Sequence, residues 1–259
     1  MTTPPTYSAP PPPQPISSQP IPGQPVVQRP VWQPRVTWAI LALTIGMYIL
    51  QMLTQYLTGT DYPEALGVKV NDLIVQGQVW RLFTPMLLHG SLLHIGFNMY
   101  ALYAIGPGLE RYYGRGRYLL LYILAGFAGN VTSFLISAHP SLGASTAIFG
   151  LLGAEGVLLY QNRQIFGPES RRSLTNVIMI AAVNLLIGLS PGIDNWGHIG
   201  GLIGGTLYAW FSGPRLRVEM GLYQPRLVDE RDSGDALRAA LGVGGLFAAL
   251  AGLKIFLGF

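Results

Sequence analysis

The charged residues of this chain stand between long apolar runs instead of being scattered through them, and they make up only 11% of its 259 residues. Soluble domains carry roughly 25%. Seven apolar segments emerge, over about 36–57, 86–107, 117–138, 142–161, 174–191, 195–213 and 236–258. Hydrocarbon offers no hydrogen bonds, so a backbone crossing it satisfies its own polar groups as a helix or a closed barrel. Runs of this length predict helices. The fold class expected is therefore an all-α polytopic membrane protein. Several segments are short for a straight span and carry Gly or polar residues, which places them against other helices or a water-filled cavity.

The basic residues orient the segments. With the N-terminus in the cytoplasm, Arg29, Arg35, Arg111, Arg115, Arg117, Arg163, Arg171, Arg172, Arg215, Arg217, Arg226, Arg231 and Arg238 all lie inside. Lys69, Arg81 and Lys254 lie outside. The net charge of +4 is thus topological, and no nucleic-acid partner is expected. Residues 1–35 hold 12 of the 20 prolines with Gln, Ser and Thr, a composition that predicts a disordered cytoplasmic tail. The first apolar run lies behind this leader and is long enough to span, so no cleavable signal peptide is expected. The absence of cysteine excludes disulfides, thiolate metal sites and cysteine nucleophiles.

Two residues stand out against this apolar background. Ser145 lies in Gly143-Ala-Ser-Thr-Ala-Ile-Phe-Gly150, at the start of the fourth segment. His198 lies 53 residues on and heads Gly197-His-Ile-Gly-Gly-Leu-Ile-Gly-Gly205. From Ser145 to Arg163 is about 27 Å of helix, so a helix ending at the inner face starts just below the outer surface. The orientation puts both residues on the same, non-cytoplasmic side. A serine hydroxyl needs a base to become a nucleophile, and neutral histidine serves near pH 7. Side chains on separate helices meet only where backbones approach closely. Gly197, Gly201 and Gly205, with Gly200 and Gly204 beside them, form the small-residue pattern of close membrane packing.

His94 and Asn98, four apart, share one helical face, as an interhelical hydrogen-bonding pair or as donors to an oxyanion. His89 lies just before them. Asp194, four residues before His198, either orients the imidazole or caps the helix start together with Asn195. Other chemistries fail. Ala147 breaks G-x-S-x-G, no H-E-x-x-H is present, and no aspartate lies deep in a segment. No metal or cofactor is expected, and the repeated halves common in transporters are not visible.

These residues resemble the rhomboid family of intramembrane serine proteases over roughly 36–213, with the last segment similar to the extra helix of its "6+1" members. Trp80-Arg81 looks like the motif of the long first loop. His89-Gly-Ser-Leu-Leu-His94-Ile-Gly-Phe-Asn98 matches the second-helix pattern, and Glu110-Arg111-Tyr-Tyr-Gly114-Arg115 is similar to the signature closing that helix. Gly143-Ala-Ser145 matches the nucleophile motif, and His198 with Gly201 and Gly205 matches that of the sixth helix. The resemblance implies cleavage of a transmembrane helix of a single-pass or polytopic membrane protein, near its outer end. It makes Ser145 the nucleophile and His198 the base. His94, Asn98 and the Ser145 amide form the oxyanion hole, and Phe149 supports the histidine ring. Glu110 and Arg111 tie the first loop or the second helix end in place.

The implied domains are a Pro-rich tail 1–35, a six-helix core 36–213, a cytoplasmic linker 214–235 and a seventh helix 236–259. The expected location is the plasma membrane, with the C-terminus and the site opening non-cytoplasmic. Thr146 stands where the family has glycine. A side chain there either crowds the histidine helix and the oxyanion donors, or fits with its hydroxyl bonded back to its own helix. An inactive rhomboid-like protein that binds transmembrane segments is the alternative. Glu155, ten residues past Ser145, is an acid about 15 Å deeper along the helix, expected to be protonated or hydrogen-bonded.

Overall fold

The computed structural model describes residues 32–220 and 225–258. The expected Pro-rich tail therefore falls, through residue 31, outside the described residues. Seven helices of 17 residues or more build the framework: α1 (Arg35–Thr58), α4 (Leu92–Tyr113), α5 (Arg115–Ile136), α6 (Ser145–Gln161), α8 (Glu169–Ile187), α9 (Asn195–Ser212) and α10 (Ser233–Leu257). Three of them, α1, α5 and α10, are long and apolar enough to cross a membrane on length and composition alone. The short helices α2 (Tyr62–Gly67) and α3 (Asn71–Val75) and two 3-10 turns, Val79–Leu82 and Thr84–Leu87, fill the α1–α4 connection, and α7 (Arg163–Phe166) follows α6.

The closest packing is α9 against α5 and α6. The glycines of α9 divide between these neighbours. A methyl group on Gly200 or Gly204 would run into Ala128 of α5, and one on Gly201 or Gly205 into the Thr146 carbonyl or the Gly150 backbone of α6. Toward α6 backbone meets backbone, and toward α5 the glycines receive the Ala128 methyl and the Thr132 side chain, so neither side leaves room for a side chain on α9. α10 packs on α5 and α9.

Helix ends are fastened across the fold. The buried Glu110 carboxylate, near the end of α4, accepts from the amides of Val36 (3.0 Å) and Thr37 (2.8 Å) and from the Thr37 hydroxyl (2.8 Å). It thereby caps the first turn of α1, whose amides lack intrahelical acceptors. Gly114, with φ +73°, ends α4 and leads directly into α5. At the far end of α6, Asn162 donates to Pro214 O (2.9 Å) and accepts from the Leu216 amide (2.7 Å).

Several elements depart from the expected segment boundaries, among them α8, which runs from Glu169 to Ile187 instead of over 174–191. The second helix starts at Leu92, because Pro85 and Gly90 interrupt the apolar run and Ser91 caps the helix by accepting from the His94 amide (3.2 Å). Within the 214–235 linker, β1 (Leu216–Met220) and β2 (Pro225–Asp229) pair antiparallel, Val218 facing Leu227. The hairpin is tied to the bundle by Arg117, which pairs with Asp229 (2.5 Å) and donates to Ser212 O (3.2 Å).

Candidate active site

The site forms where the starts of α6 and α9 meet. Ser145 is the first residue of α6, and the amides of that first turn have no acceptor within the helix. The Asp194 carboxylate caps α9 by accepting from the Gly197 amide at 3.0 Å, which fixes the turn that presents His198. The Ser145 Oγ and His198 Nε2 lie 2.9 Å apart, within hydrogen-bonding distance. With Nε2 unprotonated, the serine O–H donates to it. His198 Nδ1 has no hydrogen-bond partner among the described residues, and Asp194 serves as the helix cap instead of as an orienting acid. The ring of Phe149, one turn after Ser145, stacks on the imidazole at 4.4 Å and 14°.

Thr146 is buried without displacing this pair. A methyl group on Gly129 of α5 would stand 2.6 Å from the Thr146 Cβ, and one on Gly197 would stand 3.0 Å from its Cγ2. The threonine side chain occupies the room that these two glycines leave. Its hydroxyl has no hydrogen-bond partner among the described residues, so it does not bond back to the helix.

His94 stands over Gly143. A Cβ there would lie 2.7 Å from the His94 Nε2 and 3.6 Å from the Ser145 Oγ, and the φ of +130° at Gly143 independently demands glycine. The rings of His89 and His94 meet edge to face at 5.0 Å. Asn98 is on the same side of α4, but its amide donates to the His94 carbonyl at 3.0 Å. His89 accepts from the Ala144 amide (3.4 Å) and supports the residue preceding Ser145.

Residues 137–144, the segment leading to Ser145, are held mainly by the α1–α4 connection. Lys69 exchanges both backbone hydrogen bonds with Ser141 (3.0 and 3.2 Å). Its fully buried ammonium donates to Ser133 Oγ (3.0 Å), Ser137 O (3.0 Å) and His139 O (2.9 Å). Burial pulls this ammonium down to about 8, against the Asp194 carboxylate, which raises it, and with Lys254, whose like charge lowers it further. Asn71 donates to Phe134 O and Ser137 O, and the Gly143 amide to Pro85 O (2.9 Å). Lys254 of α10 reaches the same end of α5, donating to Phe134 O at 2.8 Å. Arg81 is buried and closes α2 through the carbonyls of Ala65 (2.8 Å) and Val68 (2.7 Å), while Trp80 Nε1 donates to Leu66 O (3.0 Å).

The structure thus brings Ser145, His198, Phe149, His94, His89 and Gly143 together, with Asn98 one turn along α4 from His94, Gly201 and Gly205 in the packing of α9 on α6, and Trp80 and Arg81 in the connection that buttresses the site. Glu110 sits at the start of α1, away from that connection, and Arg111 is exposed without a hydrogen bond or ion pair among the described residues. Gln51, which no sequence motif marks, brackets His89 by donating to its carbonyl (3.4 Å) and accepting from its amide (3.0 Å). A glutamine in an apolar run is a signal that something polar faces it, but Gln55 in the same run is exposed, and the sequence does not tell the two apart. Lys69 was legible only as an external charge.

Known proteins resemble this chain over much of its length. A Rhomboid domain matches residues 76–215. The chain is 42% identical over 219 residues to "Rhomboid protease GluP" of Bacillus subtilis, covering 84% of this chain and 41% of that protein. It is 37% identical over 160 residues to "RHOMBOID-like protein 9, chloroplastic" of Arabidopsis thaliana, covering 61% of this chain and 37% of that protein. It is 32% identical over 139 residues to "Putative rhomboid protease YdcA" of Bacillus subtilis, covering 53% of this chain and 69% of that protein. The chain spans about two-fifths of the length of the first two. With more than half of its residues inside the matched domain, this multi-pass membrane protein belongs to the rhomboid family.

Proposed function

We propose that the protein is an intramembrane serine endopeptidase that cleaves transmembrane helices of membrane-protein substrates near the outer face. The observation that carries this reading is the 2.9 Å contact between Ser145 Oγ and His198 Nε2, at the starts of two helices that glycines bring together. Ser145 Oγ attacks the scissile carbonyl carbon as its proton passes to His198 Nε2. The oxyanion so formed is received by the Ser145 amide, His94 and Asn98, the last after its amide turns from the His94 carbonyl. The histidine then returns the proton to the leaving amine, and water repeats the cycle on the acyl-enzyme. Each such donor contributes about 3 kcal/mol to the transition state.

Phe149 keeps the imidazole in plane, and Thr146, seated between Gly129 and Gly197, leaves the base in reach of the nucleophile. The chain crosses the plasma membrane seven times, six helices forming the core and α10 the seventh. Its N-terminus and hairpin are cytoplasmic; its C-terminus and site opening face the other side. The bias of arginines supports that orientation.

A fluorophosphonate probe tests the chemistry. Detergent-solubilised protein should label, and the Ser145→Ala and His198→Ala variants should not. Folded wild type that stays unlabelled, or a Ser145→Ala variant that labels equally, would overturn the reading in favour of an inactive helix-binding protein. Protease-accessible tags test topology: one at the N-terminus should be protected in sealed right-side-out vesicles and one after Phe259 cleaved.

A further inference from the structure

Glu155 lies on α6, ten residues past Ser145, and takes no part in the chemistry just described. It is partly buried and makes no hydrogen bond or ion pair among the described residues. It lines a cavity of about 350 Å³ between α4, α6 and the α7–α8 region, with Ile105, Tyr112, Phe166, Glu169 and Ser173. That volume is within the roughly 300–1,000 Å³ of ordinary ligand sites. The cavity is flanked by α4 and α8, each of which packs on α6. α8 buries only Ser170, Val177 and Ala181 and leaves Ile178, Met179 and Leu186 exposed, so it is the loosest wall of the bundle.

An acid at membrane depth calls for a cation. Arg163, Arg171 and Arg172 all surround this end of the bundle, yet none pairs with Glu155. Glu169, the other carboxylate on the cavity wall, is exposed and has Arg172 at 3.4 Å. A transmembrane helix, by contrast, carries Lys or Arg toward its cytoplasmic end, with a long stem that reaches along apolar surface. Two helices lying side by side rise equally, so a substrate residue ten positions inward of the bond cut at Ser145 is about 15 Å deeper, level with Glu155. We infer that this cavity is a specificity subsite for a Lys or Arg side chain of the substrate helix, some ten residues on the cytoplasmic side of the scissile bond, and that Glu155 receives its charge. The inference rests on the proteolytic reading for its substrate and adds to it the side chain that sets register.

The test separates the two. Synthetic single-spanning peptides, identical except for Lys, Gln or Glu at the tenth position inward of a small-residue site, are reconstituted in phosphatidylcholine vesicles with full-length protein. Binding is read by energy transfer on the Ser145→Ala background, where it does not depend on turnover. The Lys peptide should bind about tenfold tighter than the Gln peptide, as one partly desolvated ion pair would give. Adding Glu155→Gln should erase the preference without weakening the Gln peptide, and adding Glu155→Lys should shift it to the Glu peptide. In the protein with Ser145 intact, Glu155→Gln should leave fluorophosphonate labelling unchanged. Loss of labelling in the wild type would overturn the proteolytic reading alone. A Lys preference that survives Glu155→Gln, or no preference at all, overturns the subsite. An effect of Glu155→Gln seen only when phosphatidylethanolamine is added would also overturn it, and would give the cavity to a lipid ammonium group.

Discussion

Gly129→Ala tests whether close approach of α5, α6 and α9 sets the distance between base and nucleophile. The added methyl would stand 2.6 Å from both the Gly197 carbonyl oxygen and the Thr146 Cβ, where ordinary contact begins near 3.4 Å. One or both neighbours must yield by about 0.8 Å. Overpacking of this kind costs about 1–3 kcal/mol. If α9 takes the whole displacement along the line to Ser145, the 2.9 Å contact lengthens to about 3.7 Å, past the roughly 3.2 Å limit of a good hydrogen bond. A general base contributes about 10²–10⁴-fold, so a base held this far away should cost at least tenfold in labelling rate by a fluorophosphonate. Thr146→Gly in the same molecule removes one of the two collisions and leaves the carbonyl one, so rescue should be partial. Thermal unfolding and labelling rate per folded molecule, measured on both single variants and the double, give the coupling. Wild-type labelling by Gly129→Ala, or a double variant no better than Gly129→Ala, would refute the reasoning.

Thr146→Val should retain labelling and raise the unfolding temperature, because it replaces a buried hydroxyl without a partner by a methyl, a gain of about 1 kcal/mol. Lys69→Met should leave the His139 carbonyl without its donor, cost about 1–3 kcal/mol locally, and show as faster hydrogen exchange at residues 137–144. The Lys69 ammonium is held near 8 against a usual 10.5, so the unfolded chain binds more protons between those values. Wild-type stability should accordingly rise with pH across about 8–10.5, relative to Lys69→Met, in unfolding titrations. Glu110→Ala should cost about 2 kcal/mol through the uncapped start of α1, and Glu110→Gln less, since one acceptor oxygen remains; proteolysis near Arg35 reads the fraying.

Much of the fold was legible because hydrocarbon leaves a chain so few choices. The alternation of apolar runs with arginines located the helices, and the glycines of α9 marked a helix that packs closely. Ser145 and His198 were legible for the same reason, as polar groups heading apolar helices. What stayed hidden depends on partners distant in sequence. Lys69 reads as a solvated charge until its acceptors, 64 to 70 residues away, are known. Glu110 reads as a tie for the first loop or the second helix end, and its partners, the first amides of α1, lie 73 and 74 residues away. Met86–Leu88 read as the opening of α4 because apolar content outweighed the breakers Pro85 and Gly90. The hairpin lies within the 214–235 linker, where Leu216-Arg-Val-Glu-Met220 alternates with period two, a strand signal too short to stand out beside the apolar runs.

Lys69 and Lys254 converge on the same end of α5, one from the α1–α4 connection and one from α10. Chain order gives this a temporal meaning. α10 follows every helix that carries a site residue, so its lysine arrives after Ser145 and His198 have both been synthesised. The carbonyls of Phe134 and Leu135 gain their lysine donor only then. The end of α5, just ahead of the segment that presents the serine, is held first by Lys69 and Asn71 and receives this further tie only once α10 has been made.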